Sequence, residues 1–120
     1  MDLIQEALSN SRTIAVLGIS DKPWRASHYV ARYLQEEGYR IVPVNPNIDE
    51  VLGERAYPDL LSIPESIDMV DVFRRPEFVG PIVDEAIEIG VRYLWMQDVV
   101  VNEDAAEKAR AAGITVVMDN

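Results

Sequence analysis

The residues best suited to chemistry sit in one short segment, Gly18-Ile19-Ser20-Asp21-Lys22-Pro23-Trp24-Arg25-Ala26-Ser27. Gly18 has no side chain to hold a phosphate away from the backbone, Ser20 and Ser27 carry hydroxyl donors, and Lys22 and Arg25 carry positive charge. Such a set holds an anion; its alternative is an ordinary turn with a solvated basic tip. A second set is Phe73-Arg74-Arg75-Pro76. Phe73 offers either a flat face to a base or a core residue, and a guanidinium can grip phosphate bidentately. Adjacent side chains point different ways, so one of Arg74 and Arg75 is expected to face a ligand. Asn45-Pro46-Asn47 is either a stiffened turn with amides for a ribose or purine edge, or a plain Asn-Pro turn. Gln97 is either a ligand contact or a loop hydrogen bond.

These segments follow strands. Thr13–Leu17, Arg40–Val44, Met69–Phe73, Tyr93–Met96 and Thr115–Met118 are near-continuous apolar runs, as in parallel strands covered on both faces. Asp71 interrupts the third, which predicts thinner cover at that point. Helical segments lie between them. Ser27 is expected to cap a helix running to Glu37 and stopped by Gly38. A third helix carries Phe78, Ile82, Val83, Ala86 and Ile87 and ends at Gly90, with Pro76 and Pro81 both suited to its first turn. Asn102 caps another that closes at Gly113, and Asp2 to Leu8 opens the chain as a helix. The stretch 45–68 is irregular, with room for an edge strand around Arg55-Ala56-Tyr57. The alternation predicts one α/β domain over residues 1–120, a Rossmann-like three-layer fold with a parallel five- to six-stranded sheet. The strand order is 3-2-1-4-5-6 with the edge strand and 2-1-3-4-5 without it. Either places a switch point beside the first strand, where ligands bind at the carboxyl ends.

Several functions are disfavoured by what the chain lacks. The sequence has no Cys, which removes disulfides, thiolate zinc sites and thiol catalysis and suits a cytoplasmic setting. A net charge of −10 repels nucleic-acid backbones, so an anionic ligand needs a local cluster of donors. The apolar runs are too short for a membrane helix. The dinucleotide pattern G-x-G-x-x-G is absent, with Ser20 and Pro23 at its second and third glycine positions, and no acid follows the second strand. No Gly-Lys-Ser/Thr forms a P-loop. Ser27 and His28 are neighbours on a helix and do not face each other as a nucleophile and base, and His28 is expected at the surface or the ligand rim. No His/Asp/Glu spacing suggests a metal site.

Gly18-x-Ser20 with Pro23, Arg25 and Ser27, then Pro43-Val44-Asn45-Pro46, Asp71-Val72-Phe73-Arg74-Arg75-Pro76 and Leu94-Trp95-Met96-Gln97 together resemble the small CoA-binding domain family. The match runs in order over nearly the whole chain. That family is similar to the amino-terminal domain of the succinyl-CoA synthetase alpha subunit, whose phosphorylated histidine lies in a second domain not seen here. The resemblance implies that Gly18, Ser20, Arg25 and Ser27 line a diphosphate, with Asn45 and Pro46 near the nucleotide. Phe73, Arg74 and Pro76 would lie beside the adenine or pantetheine path. Ala26 departs from an expected proline, which loosens the loop. The expectation is a ligand-binding module for coenzyme A or an acyl-CoA, without catalysis, in which Arg25 and Arg74 carry most of the phosphate binding. The alternatives are an NAD(P)-dependent oxidoreductase-type domain and a regulatory subunit acting on a protein partner.

Overall fold

A computed structural model gives the fold and describes residues 2–97 and 102–118. Helix α1 (Leu3–Ser9) opens on Asp2, whose carboxylate accepts from the Gln5 amide at 2.8 Å. Strand β1 (Thr13–Leu17), helix α2 (Ala26–Glu36) and strand β2 (Arg40–Val44) follow. A hairpin of β3 (Glu50–Val51) and β4 (Glu54–Arg55) comes next, then β5 (Met69–Val72). A 3-10 turn at Pro76–Phe78 leads into α3 (Val79–Ile89), which ends at Gly90. Strand β6 (Tyr93–Met96), helix α4 (Glu103–Ala111) and strand β7 (Thr115–Met118) complete the chain.

The five long strands are parallel and ordered β2-β1-β5-β6-β7. This is the 2-1-3-4-5 order, because the hairpin stands apart as its own two-stranded sheet. Tyr57 meets the main sheet by an isolated parallel bridge to Val44. The expected edge strand at 55–57 is therefore divided: Arg55 pairs with Glu50 across the hairpin and Tyr57 bridges β2. Alternate strand residues face opposite layers. Ala15, Val42, Val70 and Leu94 meet Val83, Ala86, Ala106 and Ala109 of α3 and α4. Ile14, Val16, Ile41 and Met69 meet Ala7 of α1 and Ala31 and Leu34 of α2. Apolar side chains on both faces are what make parallel strands stable at the centre of three layers.

Two expectations change. Arg25, not Ser27, occupies the cap position of α2, and no side chain caps it. Ser27 lies inside the first turn and turns its hydroxyl back to the loop. Asp71 is fully buried, not thinly covered, and accepts a 2.7 Å hydrogen bond from the Gln97 amide. Asn102 caps α4 as expected, accepting from the Ala105 amide at 3.0 Å, while its Nδ2 donates to the Pro76 carbonyl at 2.9 Å. Among the described residues no helix is long and apolar enough to cross a membrane.

Arg40, at the start of β2, pins the irregular segment to the sheet. Its Nε and Nη2 donate to the two Glu65 oxygens at 3.1 and 2.9 Å, and Nη1 donates to Glu54 of β4. The guanidinium holds the Glu65 carboxyl below its ordinary value of 4.5. A carboxyl lowered by folding stabilises the protein above its unfolded pKa, and that gain is lost as pH falls through the folded value. The pair is solvent-accessible, so its worth is at most about 1 kcal/mol. Glu65→Gln is expected to lower the urea-melt stability by up to about that amount at pH 7. Parent and variant should converge as pH drops below the ordinary glutamate range.

Candidate functional site

The chain passes from β1 out to β2 and then returns to β5 on the other side of β1, so the sheet reverses between β1 and β5. At their carboxyl ends the Phe73 amide donates to the Leu17 carbonyl at 2.8 Å, and the Gly18 amide donates to Val44 at 2.9 Å. Gly18 has φ +88°, and a Cβ built on it would stand 2.3 Å from the Phe73 carbonyl oxygen. The sequence reading assigns the glycine to the approach of a phosphate. The structure adds an internal reason: the Phe73 carbonyl past the end of neighbouring β5 leaves no room for a side chain.

From Gly18 the loop to α2 is tied to itself. The Ser20 amide donates to Ser27 Oγ at 2.9 Å, and the Lys22 amide donates to Ser20 Oγ at 3.0 Å. His28 Nδ1 lies 2.9 Å from the Ser20 carbonyl, which only accepts, so Nδ1 carries a proton there. Asn45 Nδ2 donates to the Ile19 carbonyl at 2.8 Å, and Asn45 Oδ1 accepts from the Asn47 amide at 2.8 Å. Asn45 thus bolts the loop to the end of β2. Both serine hydroxyls accept from the backbone and keep their own hydrogens to donate. Of the two places expected for His28, surface or rim of the cleft, the structure gives the second: it is buried against this loop.

Two recesses open on either side of Gly18. One, of about 450 Å³, is lined by Ser20, Lys22, Arg25, Ser27 and Phe73. The other, of about 230 Å³, has Val44, Pro46, Pro58, Phe78 and Ile82 as apolar walls and Arg74 at its edge. The Arg74 guanidinium sits 5.1 Å from the Phe78 ring centroid, held by cation–π attraction. The smaller recess falls short of the roughly 300–1,000 Å³ of an enclosing small-molecule site. A ligand served by both must therefore lie extended across Gly18.

Most residues expected from sequence meet here. Gly18, Ser20, Lys22, Arg25, Ser27 and Phe73 line the first recess, and Asn45, Pro46 and Arg74 the second. Phe73 is half-buried and also packs on the α1–α2 side of the core, so it serves both of its readings. Of the adjacent arginines Arg74 faces the cleft, whereas Arg75 precedes the 3-10 turn outside it. Pro76 starts that turn and holds Asn102 rather than lining the cleft. Gln97 is also elsewhere: its amide is bonded to Asp71, and it borders a groove with Tyr29, Tyr33 and Trp95. The apolar wall of Pro58, Phe78 and Ile82 was missed. Phe78 and Ile82 carry a helical four-residue spacing that reads as core, although Phe78 is 47% exposed. Among the described residues no cluster of three His, Asp or Glu is placed to hold a metal ion.

The parallel sheet and its open cleft at the switch point define a doubly wound, Rossmann-like α/β domain. Residues 12–120 match the CoA binding domain family, and the chain belongs to that family. It is 45% identical over 116 residues to the uncharacterized Bacillus subtilis protein YneT, covering 97% of this chain and 86% of that one. A hypothetical protein from Pyrococcus horikoshii has the same architecture, with a TM-score of 0.94 at 40% identity over 98% of this chain and 82% of its own. The alpha subunit of the ADP-forming acetate–CoA ligase I of Pyrococcus furiosus is 32% identical over 93 residues, which are 72% of this chain and 20% of that subunit. The similarity to the ligase is therefore to one domain of a larger protein.

Gly18→Ala is expected to cost roughly 3 kcal/mol in urea denaturation, combining positive-φ strain with collision against Phe73. Gly38→Ala is the control, since Gly38 has φ +99° with open space around it. It should cost only about 1–2 kcal/mol.

Proposed function

We propose that this chain binds coenzyme A or an acyl-CoA across the carboxyl ends of β1, β2 and β5 and performs no covalent chemistry of its own. One observation carries the reading. Lys22 and Arg25, beside Asp21, line one recess and Arg74, with Asp59 and Glu85, the other, and the two flank a backbone without a side chain at Gly18 in a chain of net charge −10. Close donors offset an unfavourable overall field because they act within the Debye length of about 8 Å. The diphosphate lies over the Gly18–Ser27 loop, where the serine hydroxyls and two cations converge. The adenosine half turns into the apolar recess, between Pro46 and Phe78, with the Arg74 guanidinium at its rim.

The same geometry argues against NAD. Asn45 stands where a dinucleotide site places a carboxylate for the ribose diol, and its amide is already used by Ile19 and Asn47. For catalysis, Ser27 Oγ and His28 Nδ1 are both engaged with the backbone of Ser20, so neither addresses the other. Membership in a CoA-binding family and the acetate–CoA ligase names of its relatives agree with the ligand class.

Titration calorimetry is expected to show one CoA per chain in the micromolar range, roughly −8 kcal/mol. NAD binding as tightly as CoA would overturn the reading. Arg25→Ala and Arg74→Ala should each weaken CoA by roughly tenfold or more, the loss of one charge-assisted hydrogen bond. Trp24, 72% exposed within the loop, supplies an independent fluorescence readout. Mass spectrometry after incubation with an acyl-CoA should return ligand and protein unchanged.

A further inference from the structure

Past the end of β2 the apolar recess continues into a second hollow of about 480 Å³ beside the hairpin. The two share Asn45, Pro46 and Pro58. Arg55 of β4 lines the hollow, its guanidinium 5.2 Å from the Tyr57 ring centroid. Among the described residues Arg55 forms no salt bridge, whereas Arg40, beside the same hairpin, is taken up by Glu54 and Glu65. Asp49 also lines the hollow. A phosphate there would meet repulsion from Asp49 unless a cation answered it, and Arg55 is the cation the hollow contains.

In doubly wound folds the ribose of the nucleotide half points to the loop after the second strand. A carboxylate at that place selects a free diol, and a nearby arginine accommodates a ribose phosphate. Here the position after β2 is Asn45, with its side chain spent on the loop, and the arginine arrives from the hairpin. We infer that Arg55 receives the phosphate on the adenosine ribose, the 3′-phosphate of CoA, and sets the preference for a ribose-phosphorylated ligand over one with free hydroxyls. This rests on the reading of the cleft as a CoA site, and it gives Arg55 a task separate from those of Arg25 and Arg74. Stacking over Tyr57 holds the planar guanidinium so that little rotamer freedom is lost when it pairs.

Calorimetry with CoA and dephospho-CoA tests the assignment on the parent and on Arg55→Gln and Arg55→Lys. The parent is expected to prefer CoA by roughly tenfold or more, the factor carried by one charge-assisted hydrogen bond. Arg55→Gln should leave dephospho-CoA affinity unchanged, which also reports an intact fold, and should bring the preference to unity or invert it through Asp49. Arg55→Lys should retain part of the preference, and Arg25→Ala and Arg74→Ala should weaken both ligands. A parent that binds both ligands equally, or an Arg55→Gln variant that keeps the parent's ratio, overturns the role of Arg55 and leaves the CoA site standing. A parent that binds neither ligand overturns both readings together.

Discussion

Where β1 meets β5 the Gly18 backbone lies directly against the Phe73 carbonyl, and this contact governs how the rest of the cleft is arranged. The parallel ladder runs unbroken to that point, with β1 bonded to β2 through Gly18 and Val44 and to β5 through Leu17 and Phe73. A left-handed residue then turns the chain out of the sheet toward α2. Because no side chain fits there, backbone is laid open between two recesses instead of being covered. The steric rule that fits the strands together thus also makes the place where a ligand can reach the main chain.

The loop beyond Gly18 is held by side chains that would otherwise look like ligand groups. Ser20, Ser27, His28 and Asn45 each spend a hydrogen bond on the loop's own backbone. A loop fixed in this way loses little conformational entropy when a ligand arrives, which favours affinity without adding contacts. It also separates the donors into two kinds. The hydroxyls are pre-positioned by the backbone bonds they accept, whereas Lys22 and Arg25 are exposed and free to adjust.

Charge is distributed to the same end. The acids outnumber the bases by 21 to 11, and the cleft sets Lys22, Arg25 and Arg74 among Asp21, Asp59 and Glu85, with Arg55 and Asp49 in the adjoining hollow. Three other cations are paired with acids. Arg40 is held by Glu54 and Glu65, Arg32 by Glu36 and Lys108 by Asp84.

Local patterning was enough to determine the five long strands, the helices between them, the parallel sheet and the loops at its switch point. Each of these follows from burial period or from punctuation by Gly, Pro and capping residues, which act over a few residues. The segments that converge at Gly18 were legible for the same reason, as was their resemblance to a CoA-binding family. What a side chain touches across the fold was not. Ser27 as a loop acceptor instead of a cap, the burial of His28 and Asp71, and the departure of Gln97 and Pro76 from the cleft all depend on partners elsewhere in the chain. The apolar wall of Phe78 and Ile82 and the placement of Arg55 depend on how the stretch from 45 to 68 folds back on β2. That path is set by Tyr57 bridging Val44 and by Arg40 gripping Glu65, contacts 13 and 25 residues apart in sequence. Periodicity carries no information about pairings of that range, so only the tertiary structure could decide them.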